Sequence, residues 1–367
     1  MMPKDLLESS YLARYFLLNA VDISDHLIFP SRAIENAAPA FHFVPTEDSE
    51  GMERLLNQPL TGSPVHSGTE TMDEYLERNG TVAFLVIQHD RILYEQYYNG
   101  YHHDAICTSF STAKSFVSAL IGIALHEKLI HDIDDPLTKY LPELTARHWP
   151  PITIRHLVSM SSGLGYSQAG FFPWSDRPRI YYSLDLRRLA AHANAIEAPG
   201  VHFRYNNYNL VLLGMVLERV TGGSVSGYLQ EKIWKPLGME APASWSLDSV
   251  RCGMEKMESG LNARAIDFAK FGRLYLRCGE WNGNQLIPEE WVVESTTPWP
   301  DARWTNYKYL WWIPRAGKGR FMAVGNLGQF IYVAPDKDCI IVRFGRGKPR
   351  DWQMTYIKLF GAVAEGL

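Results

Sequence analysis

The chain has little cysteine. Only Cys107, Cys252, Cys278 and Cys339 occur among 367 residues, and no pair has C-x-x-C spacing. That scarcity excludes a disulfide scaffold, and free, mostly buried thiols are expected. Cys107, four residues before Ser111, could line a site or simply pack. Long apolar runs are also missing: no stretch reaches the roughly 18 residues that a membrane span needs. The apolar segment Tyr11–Val21 is broken by Arg14 and lacks a signal-peptide cleavage pattern, so an amphipathic helix packing on the body is expected, with the cytoplasm as compartment and the periplasm as the alternative. No basic run exists and the net charge is -4, which argues against nucleic acid as a partner. His102-His103-Asp104 has no H-E-x-x-H or comparable ligand set beside it, so a solvated loop is expected and no metal. Neither internal repeats nor a low-complexity linker appear. What remains, with 46% apolar residues, is an ordinary folded chain long enough for one large core or two smaller ones.

Against that background one short stretch carries chemistry. Ser111-Thr112-Ala113-Lys114 is the single S-x-x-K of the chain, and it opens an apolar segment, Phe116 to Leu125. At i and i+3 of a helix the two side chains share a face, so Lys114 can hydrogen-bond the Ser111 hydroxyl. An unassisted serine is a poor nucleophile and needs such a partner. A lysine at the start of a buried helix loses hydration, which disfavours its charged form and makes it a base. The competing interpretation is a helix start whose serine caps and whose lysine reaches out to water.

The surrounding chain predicts early and late strands around a helical middle. Thr81 to Tyr98 alternates as a β-hairpin. Residues 116–243 carry mainly helical signals punctuated by prolines. A helix over Ala265–Leu276, a turn at Trp281–Asn284 and a helix near Pro288–Trp291 follow. Strands are then predicted over Tyr307–Ile313, Arg320–Val324, Gln329–Ala334 and Cys339–Phe344, with a closing helix over Trp352–Ala364. The pattern implies an α+β fold: a single antiparallel sheet flanked by helices, with an inserted, mostly helical domain. The expected division is an N-terminal extension (1–70) packing on the body, a discontinuous sheet domain (71–115 plus 244–367) and a helical domain (116–243). Ser111 would lie at the seam between the last two, where small-molecule sites form.

A lysine base needs a partner to pass the proton on, and a tyrosine phenol suits that relay. Tyr205-Asn206-Asn207, between a Pro-Gly turn and an apolar helix, is the candidate; a second Y-x-N, Tyr97-Tyr98-Asn99, ends a predicted strand and is expected at the surface. Together these residues resemble the serine β-lactamase and penicillin-binding protein superfamily, in its class C and esterase branch. Ser111 and Lys114 match its first motif, Tyr205 and Asn207 its Y-x-N motif. Ile152–Leu164, Trp234–Met239 and Asp267–Gly272 look like further landmarks, so the likeness spans roughly residues 80–345. It implies a β-lactamase-like fold and a Ser-Lys-Tyr acyl-enzyme mechanism without cofactor.

One element departs from that family. Its third motif, K-T-G or H-x-G, supplies a cation that helps to hold a substrate carboxylate. Here the matching stretch is Gly325-Asn326-Leu327-Gly328-Gln329, with no cation, and the one H-x-G, His66-Ser67-Gly68, precedes the nucleophile. The pattern is closer to the family's carboxylesterases and 6-aminohexanoate-dimer hydrolases, with a β-lactamase or D-alanyl-D-alanine carboxypeptidase and an inactive binding protein as alternatives. The expected substrate is a small ester or amide; the oligomeric state is left open. Gly328 and Gln329 are expected to contact substrate, a backbone N–H near Gln329 joining that of Ser111 in an oxyanion hole; the alternative is that Gly325 and Gly328 only shape a turn. Asn207 is expected to orient Lys114 or bond the substrate. Tyr166, with Phe171, Phe172 and Trp174, is expected to border the cleft. A rival nucleophile, Ser167 in Gly165-Tyr166-Ser167-Gln168-Ala169, nearly matches the G-x-S-x-G elbow but lacks the strand that elbow requires.

Overall fold

The structure is a computed structural model that describes residues 4–18, 20–46, 50–57, 70–167, 170–300, 306–314, 318–347 and 352–367. His66–Gly68, Gln168 and Ala169 lie outside the described residues. The main sheet has eight strands in the order Tyr307–Lys308, Trp311–Trp312, Phe321–Gly325, Gln329–Ala334, Cys339–Gly345, Thr81–Gln88, Arg91–Tyr97 and Val44–Pro45. Early and late segments therefore meet at its centre, where Thr81–Gln88 pairs antiparallel with Cys339–Gly345. Both central strands are buried nearly throughout, which explains their unbroken apolar runs. The hairpin after Gln88 turns on His89 and Asp90, both at positive φ, the two-residue geometry that matches strand twist.

The single antiparallel sheet expected from sequence is corrected in two respects. Val44–Pro45 pairs parallel with Arg91–Tyr97 at the edge. A separate four-stranded sheet joins Ser31–Ile34, Ala243–Ser246, Leu261–Ala263 and Cys107–Thr108. Two- to four-residue strands are too short to show a period, so this sheet has no sequence signature. It matters because its last strand runs straight into Ser109 and the nucleophile turn.

The helix Ala113–His126 is buried along almost its whole length. Its small residues permit close approach: Phe116 stacks on Phe271 at 3.6 Å, and a Cβ on Gly122 would collide with the Trp291 indole. One continuous apolar core joins the inner face of the main sheet, this helix and the helical segment. A second core lies on the sheet's other face, where the helices Met72–Arg78 and Trp352–Glu365 pack. The N-terminal helix Tyr11–Leu17 packs through Tyr15 against Phe171 and Tyr182. Among the described residues no single helix is long and apolar enough to cross a membrane.

Candidate active site

Ser111 sits in a tight turn, Phe110–Thr112, that feeds directly into the helix Ala113–His126. The turn is entered through Phe110 at φ 49°, a conformation that bulky residues avoid, so the backbone is held in a costly state beside the serine. Buried packing holds that state: Phe110 is 2% exposed, and Ser109 donates its N–H to Leu261 O at 2.9 Å. Ser111 itself remains partly exposed.

Lys114, one turn on, donates to Ser111 Oγ at 2.8 Å and to the Glu258 carbonyl oxygen at 2.8 Å. Its side chain is buried, with the amine 5.0 Å from the centre of the Tyr205 ring. Burial, reinforced by the nearby Arg177 cation and opposed by Glu258, brings the amine down from its ordinary 10.5 to about 7. The Tyr205 hydroxyl bonds the Ser111 side chain, and burial holds this phenol well above its usual value. Its ring lies between Tyr307 and Trp312, at 5.7 and 6.0 Å between centroids, so the hairpin of the main sheet fixes its direction. One group is thus poised to accept a proton at neutral pH and the other to keep one. These are complementary duties around a single hydroxyl.

Ser111, Asn207, Phe110, Phe171, Arg177, Tyr181, Glu258, Ser259, Asn326 and Val21 line a cavity of about 70 Å³. Asn207, the first residue of the helix Asn207–Thr221, donates to the Tyr166 hydroxyl at 3.1 Å. Among the described residues it makes no hydrogen bond to Lys114, whose donors go to Ser111 and Glu258. Tyr166 is buried behind Asn207 and packs edge-on to Tyr208 at 5.8 Å. Phe171 reaches the cavity, whereas Phe172 and Trp174 stack on one another at 5.3 Å and remain exposed.

Gly328 and Gln329 do not line this cavity. Gln329 is fully buried; its side-chain nitrogen donates to Gly345 O at 2.6 Å, and its oxygen accepts from Gly345 N at 3.0 Å. Gly328, at φ +84°, lies where any Cβ would collide with the Arg343 guanidinium. The buried Arg343 in turn donates to Gly328 O, at 2.6 Å, to Thr81 Oγ1, at 2.9 Å, and to Asn79 O, at 3.0 Å. It is Asn326, three residues earlier, that faces the nucleophile, and a Cβ on Gly325 would collide with Ser109 O. The glycine at 325 therefore serves close approach between the strand end and the nucleophile turn.

The remaining candidates have structural duties. Ser167 follows the helix Ile154–Val158 and an isolated bridge at Leu164, and its N–H donates to Asp176 at 2.7 Å, so it has no strand-to-helix elbow. Cys107 is buried away from the cavity, its thiol pushed up to about 12 by burial. His103 bonds Glu95 and Glu240, and in the second Y-x-N the tyrosine, Tyr97, is half-buried and donates to Glu95 at 2.6 Å while Asn99 is exposed. Sequence reasoning missed Glu258, Ser259, Arg177, Tyr181, Asn326 and Val21 as cavity residues. Of these only Asn326 lies in a stretch matched to a motif; Val21 comes from the N-terminal segment, whose Asp25 accepts from the Tyr181 hydroxyl.

A serine hydroxyl bonded to a buried lysine of depressed basicity and to a tyrosine is the machinery of a serine hydrolase. The Beta-lactamase family profile matches residues 69–362, and the chain belongs to that family. A 6-aminohexanoate-dimer hydrolase of Paenarthrobacter ureafaciens is 25% identical over 296 residues, 74% of either chain. Esterase EstB of Burkholderia gladioli is 36% identical over 120 residues, 29% of this chain and 30% of its own. A solved structure from Bacillus anthracis, provisionally named as a 6-aminohexanoate-dimer hydrolase, has a TM-score of 0.82 at 23% identity, covering 98% of this chain and 95% of its own, which establishes the fold. The chain is thus a serine hydrolase of the beta-lactamase family, related to 6-aminohexanoate-dimer hydrolases and esterases.

Proposed function

We propose that the chain cleaves ester or amide bonds of small molecules through an acyl-enzyme on Ser111. The observation that carries this reading is the 2.8 Å hydrogen bond between Ser111 Oγ and a Lys114 amine brought down to about 7. The neutral amine takes the Ser111 proton as Oγ attacks the carbonyl carbon. The proton passes through the Tyr205 hydroxyl to the departing alcohol or amine. Water then attacks the acyl carbon, its proton returning by the same route, and Ser111 is regenerated. The N–H of Ser111 and a backbone N–H of the Gly325–Gln329 segment stabilise the oxyanion, a role supported by the close approach of Gly325 to Ser109 and by Asn326 in the cavity wall. Tyr166 acts through Asn207 as a positioning pair.

Esterase or dimer-hydrolase activity is favoured over β-lactam hydrolysis because the Gly325–Gln329 segment holds no cation. Hydrolysis of p-nitrophenyl esters and of short linear amides by the wild type, Ser111→Ala and Tyr205→Phe tests the reading. Turnover by wild type with loss of about three or more orders of magnitude in Ser111→Ala is expected, the scale seen when one member of such a unit is removed. Turnover retained in Ser111→Ala overturns it. Rapid nitrocefin hydrolysis would instead favour the β-lactamase alternative.

A further inference from the structure

Among the described residues, the cavity beside Ser111 is lined by one cation that has no ion-pair partner. Arg177 lies on the helix Asp176–Tyr181 and lines the cavity from the wall of the helical segment. Its guanidinium is exposed and lies over the Phe171 ring, 6.0 Å from the centroid, with no carboxylate within ion-pairing distance among the described residues. Its neighbour Arg179, by contrast, faces Asp176 at 3.9 Å. The other charged group lining the cavity is Glu258, which is answered from inside. Lys256 stands 3.9 Å from one carboxylate oxygen, and the Ser259 hydroxyl donates to that same oxygen at 2.8 Å. Its second oxygen, buried and without a donor among the described residues, makes that wall repel an anion. The cavity lining thus carries a buried carboxylate, Glu258, and an exposed guanidinium, Arg177.

From this geometry, and resting on the hydrolase reading above, we infer that Arg177 is a specificity-determining residue that binds a carboxylate carried by the ester or amide substrate. The Gly325–Gln329 segment has no lysine or histidine to do so, and from the helix Asp176–Tyr181 Arg177 offers the planar, two-pronged donor that matches a carboxylate. The substrate class is therefore an ester or amide with a free carboxylate, such as a half-ester or half-amide of a dicarboxylic acid, rather than a neutral fatty ester.

The test compares kcat/KM for mono-p-nitrophenyl succinate, glutarate and adipate with that for p-nitrophenyl alkanoates of matching length, and for 3-carboxyphenyl acetate with phenyl acetate. Wild type should prefer at least one anionic partner of a pair by about tenfold or more, the scale of one charge-assisted hydrogen bond. In Arg177→Ala that ratio should fall to about one; Arg177→Lys should keep part of it, and Arg177→Glu should invert it in favour of p-nitrophenyl 6-aminohexanoate. Ratios unchanged within twofold across the four proteins overturn the inference while leaving the hydrolase reading intact. If no ester acylates Ser111, the hydrolase reading fails. Calorimetric binding of glutarate monoamide to Ser111→Ala then still decides the anion site: binding abolished by Arg177→Glu supports it, and no binding, or binding indifferent to residue 177, refutes it.

Discussion

The acid limb of the pH–rate profile follows directly from where Lys114 is buried. The base is the neutral amine, so activity is present above the lysine's pKa and lost as pH falls through it. With that pKa at about 7, burial being the principal cause, about half of Lys114 is neutral at pH 7, about nine-tenths at pH 8 and about one-hundredth at pH 5. At the ordinary lysine value only about one molecule in three thousand would carry a neutral amine at pH 7. For hydrolysis of a p-nitrophenyl ester under subsaturating conditions, kcat/KM should rise tenfold per pH unit below the break and level off near pH 8, giving about a hundredfold range between pH 5 and the plateau. The Arg177 cation helps to hold the lysine down, so Arg177→Ala should move the break to higher pH. Lys114→Arg carries a guanidinium that does not deprotonate, and should be inactive throughout. A flat profile between pH 5 and 9, or one that climbs without a break to pH 10, would refute the assignment of Lys114 as base.

Three further perturbations test the scaffold. Lys114→Met should destroy activity yet raise the unfolding midpoint at pH 7, because a buried amine whose folded pKa lies below its unfolded one penalises folding. That penalty, bounded at about 4 kcal/mol at pH 7 and reduced by the orphaned Glu258 carbonyl, fades as pH rises towards 10, so a scanning calorimetry gain that persists at pH 10 would contradict it. Gly325→Ala places a methyl against Ser109 O and should lower kcat by about a hundredfold with KM less affected, as misplacement of a reacting group does; unaltered kcat would remove the close-approach role. Arg343→Met leaves the buried Gly328 carbonyl and the half-buried Asn79 carbonyl without their donor and should cost about 2 kcal/mol in urea unfolding, against no change if the guanidinium were idle.

Much of the fold was legible because its central elements are long. The helix Ala265–Leu276 and the strands Gln329–Ala334 and Cys339–Gly345 fall where periodicity and Pro335-Asp336 place them. The four-stranded sheet was not legible, since pairing between residues 31–34 and 243–246 is a long-range event that leaves no local pattern. The same division holds at the site. Ser111 and Lys114 share one helical turn, so spacing alone brings them together. Tyr205 needed a motif. Arg177, Glu258 and Asn326 come from three separate segments and meet only in the folded chain. Gly328 and Gln329 lie two and three residues past the cavity-lining Asn326, beyond a turn at Leu327 with φ 59°.

The whole mechanism depends on Ser111 being the nucleophile. Intact-mass and peptide-mapping mass spectrometry after fluorophosphonate treatment tests it most directly, with wild type and Ser111→Ala side by side. One adduct on Ser111, absent from the variant, is the predicted result; an adduct on Ser167 or another serine, or no adduct on folded wild-type protein, would contradict it.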